Sequence, residues 1–406
     1  MTDLHLSDLL TTRDRDAFWA EIGTEPPVRR AFYFDQSHVW LVTGYDEATA
    51  VLKDPASFSN DINTRQDTVD VAAAAGLPDD VAPYMTETLG AYDPPDHARL
   101  RRLVSRAFTV RRVESLRPRI QTIIDELVDD FPDEPFDVID RFALPLPVRV
   151  ICELLGVPDE DAPRWQQWSS GLTAPDPTVI ADSARGLVAY MSELIERKRT
   201  HSDDALLSAL IEVRESDGDR LSDRELISLS LTLLLAGHET TVSVLSEGLL
   251  LLLTRPEEQR RLRGDLDQVP VAVEEMLRVA GPAEIAPMRY ARRDVEVGGV
   301  RIPAGDAVQI VYATANRDPR RVEAAGSTDL AREDNPHLAF GTGIHYCLGA
   351  SLARAEADLA FRTLLTRFED LSLATDADQL RWKPGIARRL EHLPVTVTRA
   401  ARPRGW

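Results

Sequence analysis

The residue best placed for chemistry in this sequence is Cys347, which stands among glycines and just ahead of a helix. Glycines occupy positions 341, 343 and 349, and they allow backbone turns that residues with a Cβ resist. From Ala350 onward the residues favour a helix, and the dipole and free N–H groups at a helix N-terminus stabilise a thiolate. The spacing therefore predicts a cysteine thiolate that serves as a metal ligand or as a nucleophile.

Other interpretations of Cys347 compete with this one. Free cysteines are among the most buried residues, so a structural core position is the first. A zinc site needs about four nitrogen or sulfur ligands, and the sequence has no Cys-x-x-Cys pair. A cysteine hydrolase needs an orienting histidine, and His345, two residues before Cys347, is not an obvious base.

A second group of reactive residue types interrupts a long apolar stretch. The sequence AGHETT occupies residues 236–241, after a run of leucines. Gly237 costs a helix up to ~1 kcal/mol relative to alanine, and an unpaired buried carboxylate at Glu239 costs more. A chance glycine beside a surface-facing Glu239 is the alternative. Otherwise the pattern indicates a carboxylate that is paired, solvated or functional.

The element that carries this segment is a predicted central helix. Ser222 and Glu225 have the spacing of a capping box, and no proline interrupts residues 223–254. Such a helix would be about 48 Å long, and its leucines leave almost no polar face, so we expect it to be buried. His238 and Glu239 argue against a membrane span.

Weaker signals place the other segments. Residues 60–90 lack periodicity, which predicts a long loop with short helices, and such loops often cover binding sites. Residues 39–43 read as a strand, and residues 295–302 as a hairpin around a Gly-Gly turn. Cys152 lies among apolar residues of a predicted helix, where we expect an inert core position.

Composition narrows the class of protein. A chain of 406 residues can form one large domain or two, and its net charge of -20 makes a nucleic-acid partner unlikely. Two cysteines give no disulfide framework, and the N-terminus has no apolar run after a basic start, so we expect a cytoplasmic protein without a membrane anchor. Residues 97–119 nevertheless contain eight arginines and one glutamate. This asymmetry indicates a solvated face, an anion site or a docking patch for an acidic partner.

The segment from Phe340 to Gly349 resembles the haem-binding loop of the cytochrome P-450 superfamily. It reads Phe-Gly-x-Gly-x-His-x-Cys-x-Gly, with six fixed residues in ten positions. The resemblance implies a mainly α fold with a minor β region, in a single domain over residues 1–406. It also implies haem b between the long central helix and the cysteine loop, with Cys347 as the axial thiolate ligand of the iron.

Further motifs follow in the order of that family. Residues 236–241 resemble its oxygen-activation segment, which implies that Ala236 leaves room for dioxygen, that Thr240 hydrogen-bonds to it and that Glu239 relays protons from water. The resemblance assigns seven further residues to haem binding. The four expected partners of the propionates are His97, Arg101, Arg289 and His345. The other three residues expected at the haem are Phe340, Gly341 and Ala236.

Glu275 and Arg278 resemble the family's Glu-x-x-Arg motif, a buried pair that braces the cysteine loop and does no chemistry. The sequence departs from the family after Pro319, because Ser327 stands where an arginine usually completes a triad with that pair. We expect either that another arginine substitutes or that the stretch 322–328 is less well braced and more mobile. The candidate substitutes are Arg320, Arg321 and Arg332.

The resemblance implies a soluble bacterial monooxygenase that uses dioxygen and two electrons, delivered from NAD(P)H by a ferredoxin reductase and a ferredoxin. The motifs of this sequence look most like those of actinobacterial enzymes that tailor macrolides and polyketides. We therefore expect hydroxylation or epoxidation of such a product, and we expect the enzyme to be a monomer. The expected substrate contacts are Met85, Leu89, Leu235, Ile285 and Met288. The alternatives are a terpene, steroid or fatty-acid oxygenase, a peroxide-driven oxygenase, a non-catalytic haem sensor and a cysteine hydrolase without haem.

Overall fold

The computed structural model describes residues 4–12, 14–64, 71–172, 174–213, 218–383 and 387–400. Within these ranges the chain is mainly helical, with a smaller strand content, as the sequence predicts. The helices, in chain order, are α1 Arg15–Gly23, α2 Tyr45–Lys53, α3 Val71–Ala74, α4 Ala82–Thr86, α5 Asp96–Ala107, α6 Val110–Asp129, α7 Pro145–Leu155, α8 Ala162–Gly171, α9 Pro177–Thr200, α10 Leu206–Glu212, α11 Asp223–Leu253, α12 Pro256–Gly264, α13 Val269–Ala280, α14 Tyr312–Ala315 and α15 Ala350–Arg367.

Short strands form three small sheets. The strands are β1 Val28–Phe32, β2 His38–Val42, β3 Phe58–Ser59, β4 Phe136–Asp137, β5 Arg289–Ala291, β6 Val295–Val297, β7 Val300–Ile302, β8 Ala307–Ile310, β9 Phe368–Leu373 and β10 Pro394–Arg399. They are ordered β1-β2-β8-β5-β3, β4-β10-β9 and β6-β7. The predicted hairpin at 295–302 is confirmed by β6 and β7, with Gly298 and Gly299 at φ of 56° and 78° in its turn.

The chain divides into two compact units. Unit 1 comprises Met1–Phe58, Arg117–Leu146 and Thr240–Trp406, and unit 2 comprises Ser59–Leu116 and Pro147–Glu239. Helix α11 contributes its first seventeen residues, Asp223 to Glu239, to unit 2 and the remainder to unit 1. The expectation of a single domain over residues 1–406 stays a prediction.

The sheet of unit 1 is built around β2. This strand pairs antiparallel with β1, with Val42 opposite Val28, and parallel with β8, with Trp40 opposite Val308. Val42 enters the core that packs the sheet against α2, while Val39 and Leu41 enter a second core on the other face. Both faces of β2 are therefore covered by apolar side chains.

A buried ion network ties the N-terminal helix of unit 1 to more distant segments. Arg388 donates from Nε to Glu247 at 3.0 Å and from Nη1 to Asp16 at 2.9 Å, while Arg15 donates from Nε to Glu284 at 2.8 Å. Burial by itself lowers the pKa of Arg388, but the surrounding carboxylates outweigh burial and raise the pKa above its ordinary value. Arg388 therefore stays charged and holds α1, α11 and the C-terminal segment together.

The predicted central helix is confirmed by α11, which ends one residue before the expected position. The backbone N–H of Ser222 donates to Glu225 Oε2 at 2.8 Å, and the Glu225 N–H donates to Ser222 Oγ at 3.3 Å, so the capping box forms. From residue 226 to 249 the side chains are buried or half-buried, with the exceptions of Ala236 and Thr240. Ala236 and Thr240, one turn apart, are therefore the accessible residues in this part of the helix.

Among the described residues, α11 is the one helix long and apolar enough to cross a bilayer. Of its most apolar window, 61% is buried inside the protein. A helix in the core of a folded domain passes the same test of length and composition, so this feature is weak support for a membrane span.

Unit 2 confirms the loop character of residues 60–90, of which 65–70 lie outside the described residues. The rest of the stretch holds only short helical segments at Ile62–Thr64, α3 and α4. Helix α5 follows, and its apolar side is buried while several of its arginines face outward. Not all of the predicted basic patch is available, however, because Arg99 forms ion pairs with Asp219 and Glu225.

Candidate functional site

The turn that carries Cys347 has the backbone that its glycines predict. Gly341 and Gly343 adopt φ of 64° and 75°, in the left-handed region that favours glycine. A Cβ at Gly343 would also lie 2.4 Å from the carbonyl oxygen of Leu52, a distance at which the backbone would have to move. The turn closes where the N–H of Cys347 donates to the carbonyl of Phe340 at 2.9 Å.

The thiol lies at a helix N-terminus and is accessible. Helix α15 begins at Ala350, with Gly349 as its N-cap residue, and Cys347 is exposed. A buried structural role for Cys347 is therefore contradicted, whereas Cys152 is 1% exposed and lies in the core, as expected. The expected thiol before a helix N-terminus is confirmed.

A zinc site at this cysteine finds no support. Over the described ranges, one group of three side chains could supply metal ligands, and it consists of Asp137, Asp140 and His392. Cys347 is not part of that group, and two of its three members are exposed.

Tyr312 is a neighbour of the turn that sequence reasoning missed. Its hydroxyl lies 3.1 Å from the position that a Cβ of Gly341 would take. Burial raises the pKa of Tyr312 to about 12; Arg289 opposes this rise and Cys347 adds to it. The phenol therefore stays protonated at neutral pH. Tyr312 precedes Gly341 by 29 residues, and no local sequence pattern predicts that the two residues are in contact.

Arg289, a predicted propionate partner, is buried at 3% exposure on β5. Its Nη1 donates to the carbonyls of Pro287 at 2.9 Å and Met288 at 3.3 Å. These two backbone contacts fix one edge of the guanidinium. His345, the second predicted partner in unit 1, lies in the 3₁₀ turn Gly343–His345 of the cysteine loop.

The predicted brace of the loop is present and fully buried. Arg278 donates from Nε and Nη2 to the two carboxylate oxygens of Glu275, both at 2.7 Å, and both side chains are 0% exposed. The remaining guanidinium hydrogens reach the carbonyls of Asn316, Ala325 and Ser327 at 2.8 to 3.0 Å. The pair therefore holds the backbone of the atypical stretch by its carbonyls.

The structure also identifies which arginine compensates for Ser327. Arg332 Nε lies 3.3 Å from Glu275 Oε2, with Arg332 11% exposed. Its N–H does not point well enough at the oxygen for a hydrogen bond, so the contact is an ion pair. Arg320 and Arg321 were wrong candidates, because they pair with Glu47 and Asp46 instead.

Two neutral donors complete the shell around Glu275. The N–H of Asp329 donates to Oε1 at 2.8 Å, and Asn335 Nδ2 donates to Oε2 at 3.0 Å. Burial acts to raise the pKa of Glu275, but Arg278 and the other donors outweigh it, so that the pKa lies below its ordinary value. The greater mobility expected at 322–328 stays a prediction, although Val322 is buried.

The residue before it, Glu274, organises a second cluster. Arg354 Nε and Nη2 donate to its two oxygens at 2.6 and 2.8 Å. His337 accepts the N–H of Ala339 at Nδ1, so the proton sits on Nε2, which lies 2.9 Å from Glu274 Oε2. Burial acts to raise the pKa of Glu274, but Arg354 and His337 outweigh it and lower the pKa to about 2.

Unit 2 carries the other two predicted propionate partners, His97 and Arg101. They lie one turn apart on α5, as the i, i+4 spacing predicts, and His97 is 2% exposed. Burial lowers the pKa of His97, and the nearby charge of Arg101 lowers it further, against the opposing effect of Asp93. At neutral pH the ring is therefore uncharged and offers a single N–H donor.

Residues 236–241 keep helical geometry throughout. A Cβ at Gly237 would lie 3.3 Å from Ile151 Cδ1, so the glycine allows close packing of α7. His238 Nδ1 lies 3.0 Å from the carbonyl of Leu234, which only accepts, so Nδ1 carries the proton. In the neutral ring, Nε2 then accepts the hydroxyl of Ser169 at 3.2 Å.

The predicted substrate contacts fall in different surroundings, each described within its own unit. In unit 2, Leu235 lines a small apolar cavity together with Ile151 and Cys152, and Met85 and Leu89 are half-buried. In unit 1, Ile285 belongs to the apolar core and Met288 packs against that core. Their role as substrate contacts stays a prediction.

Comparison with known proteins supplies the context for these residues. A family model described as Cytochrome P450 matches residues 178–389. The chain is 44% identical to the 6-deoxyerythronolide B hydroxylase of Saccharopolyspora erythraea, over 93% of this chain and 95% of the relative. It is 40% identical to the mycinamicin IV hydroxylase/epoxidase of Micromonospora griseorubida, over 91% of this chain and 92% of the relative.

Solved structures agree with the sequence relatives. The chain is similar to the tirandamycin C-bound P450 monooxygenase TamI, with a TM-score of 0.87 and 40% identity. The match covers 97% of this chain and 100% of that chain.

The brace around Glu275 leads to a prediction about stability. Glu275→Gln strips the buried Arg278 of its counter-charge and should lower the free energy of unfolding by about 3–5 kcal/mol. Arg332→Gln should cost about 1 kcal/mol, because Glu275 keeps Arg278 and two neutral donors. The measurement is urea unfolding of the purified protein.

Arg321→Gln is the matched control, since Arg321 lies in the same stretch but pairs with the half-exposed Asp46. Its cost should stay within about 0.5 kcal/mol. If Arg332→Gln were no more costly than this control, Arg332 would not compensate for Ser327.

Proposed function

The chain belongs to the cytochrome P450 family, and from that premise we propose that it is a bacterial monooxygenase that hydroxylates or epoxidises a macrolide or another polyketide. One oxygen atom of dioxygen enters a C–H or C=C bond of the substrate. The second leaves as water, which consumes two protons and two electrons drawn from NAD(P)H. The observation that carries the proposal is the exposed thiol of Cys347 on a glycine turn before α15.

The donor set of unit 1 fits the haem that the family binds. Cys347 would bind the iron through its thiolate, which a helix N-terminus favours. Arg289 and His345 would hold propionates, because guanidinium and imidazole N–H groups match carboxylate oxygens. Phe340 and Gly341 would lie against the porphyrin. When bound, the haem supplies the iron that activates dioxygen, and thiolate ligation favours cleavage of the O–O bond.

For unit 2, we assign His97 and Arg101 to propionate binding as well. Arg101 supplies charge and, because burial keeps His97 neutral, His97 supplies one directed N–H. Ala236 would leave room for dioxygen.

Glu239 and Thr240 are the proposed catalytic residues. The Thr240 hydroxyl would donate a hydrogen bond to dioxygen and pass on one of the two protons consumed when one oxygen atom is reduced to water, and Glu239 would resupply that proton from water. Thr240 is exposed and Glu239 is half-buried on α11, in a part of the helix where most side chains are buried or half-buried. His238 is not part of this relay, because both of its nitrogens are already in hydrogen bonds.

Two observations support the proposed substrate class. The similar enzymes named above act on 6-deoxyerythronolide B and on mycinamicin IV. The expected substrate contacts are also apolar. Met85, Leu89, Leu235, Ile285 and Met288 would contact such a molecule. A terpene, a steroid or a fatty acid is the alternative, and a screen of binding spectra across these classes distinguishes them.

We further propose that a ferredoxin, reduced by its reductase, docks on the basic patch of unit 2, defined as Arg102, Arg106 and Arg111. These three arginines are exposed. Val110, 66% exposed, lies between them in sequence and offers an apolar contact. We also propose that the protein is monomeric and cytoplasmic.

The ligand assignment is tested by one spectrum. Reduced protein under carbon monoxide should show the strongly red-shifted Soret band of thiolate ligation, and Cys347→Ser should abolish it while Cys152→Ala preserves it. A histidine-like band in the unmodified protein, or purification without haem from haem-replete cells, would reject the proposal.

The proposed proton relay predicts that removal of the Thr240 hydroxyl uncouples NADPH consumption from product formation. With the compound that gives the largest binding spectrum, Thr240→Ala should lower product formation on the order of 100-fold while NADPH consumption continues. Thr241→Val, which alters a buried neighbour, should keep the two rates coupled. Unchanged coupling in Thr240→Ala, with full activity on hydrogen peroxide alone, would favour the peroxide-driven alternative.

Docking on this patch predicts that the rate of reduction by the ferredoxin depends on the charge of the patch and on the salt concentration. Arg102→Glu combined with Arg106→Glu should slow reduction by the ferredoxin by about tenfold or more at low salt, with the difference shrinking as salt screens the charges. The control is the same double reversal at Arg260 and Arg301, exposed arginines of unit 1. Equal rates for the two double variants would refute the patch.

A further inference from the structure

We propose that Arg354 is a positioning residue for the Cys347 thiolate, because it contacts both Phe340, whose carbonyl accepts the hydrogen bond that closes the cysteine turn, and Tyr346, which directly precedes Cys347. The inference rests on the proposed role of Cys347 as the haem ligand. Arg354 lies on α15, seven residues beyond the cysteine, and belongs to neither the Glu275 brace nor the propionate partners.

The contacts of Arg354 reach the two ends of the turn. Its guanidinium carbon lies 4.5 Å from the ring centroid of Phe340, in cation–π geometry. Its Nη1 donates to the hydroxyl of Tyr346 at 3.2 Å. The two aromatic rings also meet edge-on, with centroids 6.4 Å apart. One side chain thus bears on both aromatic residues of the loop.

These two residues determine where Cys347 points. Phe340 supplies the carbonyl that accepts the Cys347 N–H at 2.9 Å. Tyr346 shares a planar peptide unit with Cys347, so a rotation of Tyr346 turns the cysteine N–H with it. Holding the two rings in place restrains the backbone of Phe340 and Tyr346, and through that backbone the position of the sulfur.

Arg354 can act in this way because it is itself held in place. Glu274, on α13, receives two parallel hydrogen bonds from it at 2.6 and 2.8 Å, and such a bidentate pair fixes the plane of a guanidinium. His337 binds the same carboxylate, and its ring lies 6.3 Å from that of Phe340. The cysteine loop is therefore linked through Arg354 to a second helix.

The proposed effect is one of geometry and not of net charge. The guanidinium and the Glu274 carboxylate compensate each other, so the pair presents little net charge to the sulfur. A lysine at 354 would keep the positive charge but lose the planar fork that makes three contacts at once. Lysine and glutamine should therefore fail in the same way, which separates positioning from an electrostatic role.

The test compares Arg354→Gln and Arg354→Lys as haem-loaded proteins. Each should convert part of the reduced carbon monoxide complex from the red-shifted thiolate band to a band without thiolate ligation. Haem should transfer to an acceptor apoprotein about tenfold faster, as when an outer-shell partner of a metal ligand is lost. The midpoint potential of the iron should shift in the same two variants.

Arg362→Gln is the matched control, because Arg362 lies on the same helix and pairs with Asp358 at i, i+4, away from the loop. It should leave the band, haem transfer and potential unchanged. If Arg354→Gln does not fold, Glu274→Gln replaces it, since that variant removes the anchor of Arg354 and should change the same readouts in the same direction.

The outcomes separate the two proposals. A normal thiolate band and normal haem transfer in both Arg354 variants would overturn the positioning role and leave the ligand assignment intact. A defect in Arg354→Gln that lysine rescues would overturn it in favour of charge. Absence of the thiolate band from the unmodified protein would overturn the assignment of Cys347 and this inference together.

Discussion

The hydrogen bond from the N–H of Cys347 to the carbonyl of Phe340 is the contact on which the proposed centre depends. It closes a turn that requires left-handed φ at Gly341 and Gly343. Glycine loses more backbone freedom on folding than any other residue, so a loop with two such positions does not hold its shape unaided. The rest of unit 1 supplies the missing restraint, through Leu52 and Tyr312 against the glycines and through side chains of α13 and α15.

That restraint comes from two consecutive carboxylates on α13. Successive helical residues point about 100° apart, so Glu275 faces the interior at 0% exposure while Glu274 is 31% exposed. A buried ion pair is weak as a source of net stability, since desolvation offsets most of the attraction. Its donors and acceptors have direction, however. We interpret Glu275 and Glu274 as fixing, respectively, the stretch that precedes the cysteine loop and the two aromatic rings of the loop itself.

Sequence reasoning succeeded where the signal is local. The capping box at Ser222, the Gly-Gly hairpin, the start of α15 and the glycine turn all depend on residues within a few positions of each other. It was incomplete where contacts join distant segments. Arg354 meets Glu274 across 80 residues, and neither residue has an unusual neighbourhood in sequence. The loss of arginine at 327 was visible, but the substitute could not be chosen among three candidates, because the choice depends on which side chain turns inward.

The central helix α11 is another element whose details could not be predicted from local sequence. Periodicity identified α11 as buried, yet an apolar pattern cannot reveal that Ala236 and Thr240 alone are exposed between residues 226 and 249. Gly237 weakens the helix by up to ~1 kcal/mol, but it also allows α11 to pack closely against Ile151 of α7. His238 is held by Leu234 and Ser169. Within residues 236–241 the proposed mechanism assigns proton exchange to the carboxylate of Glu239 and the accessible hydroxyl of Thr240. In the proposed mechanism these two residues deliver protons from one turn of α11, whose neighbouring side chains are buried or half-buried.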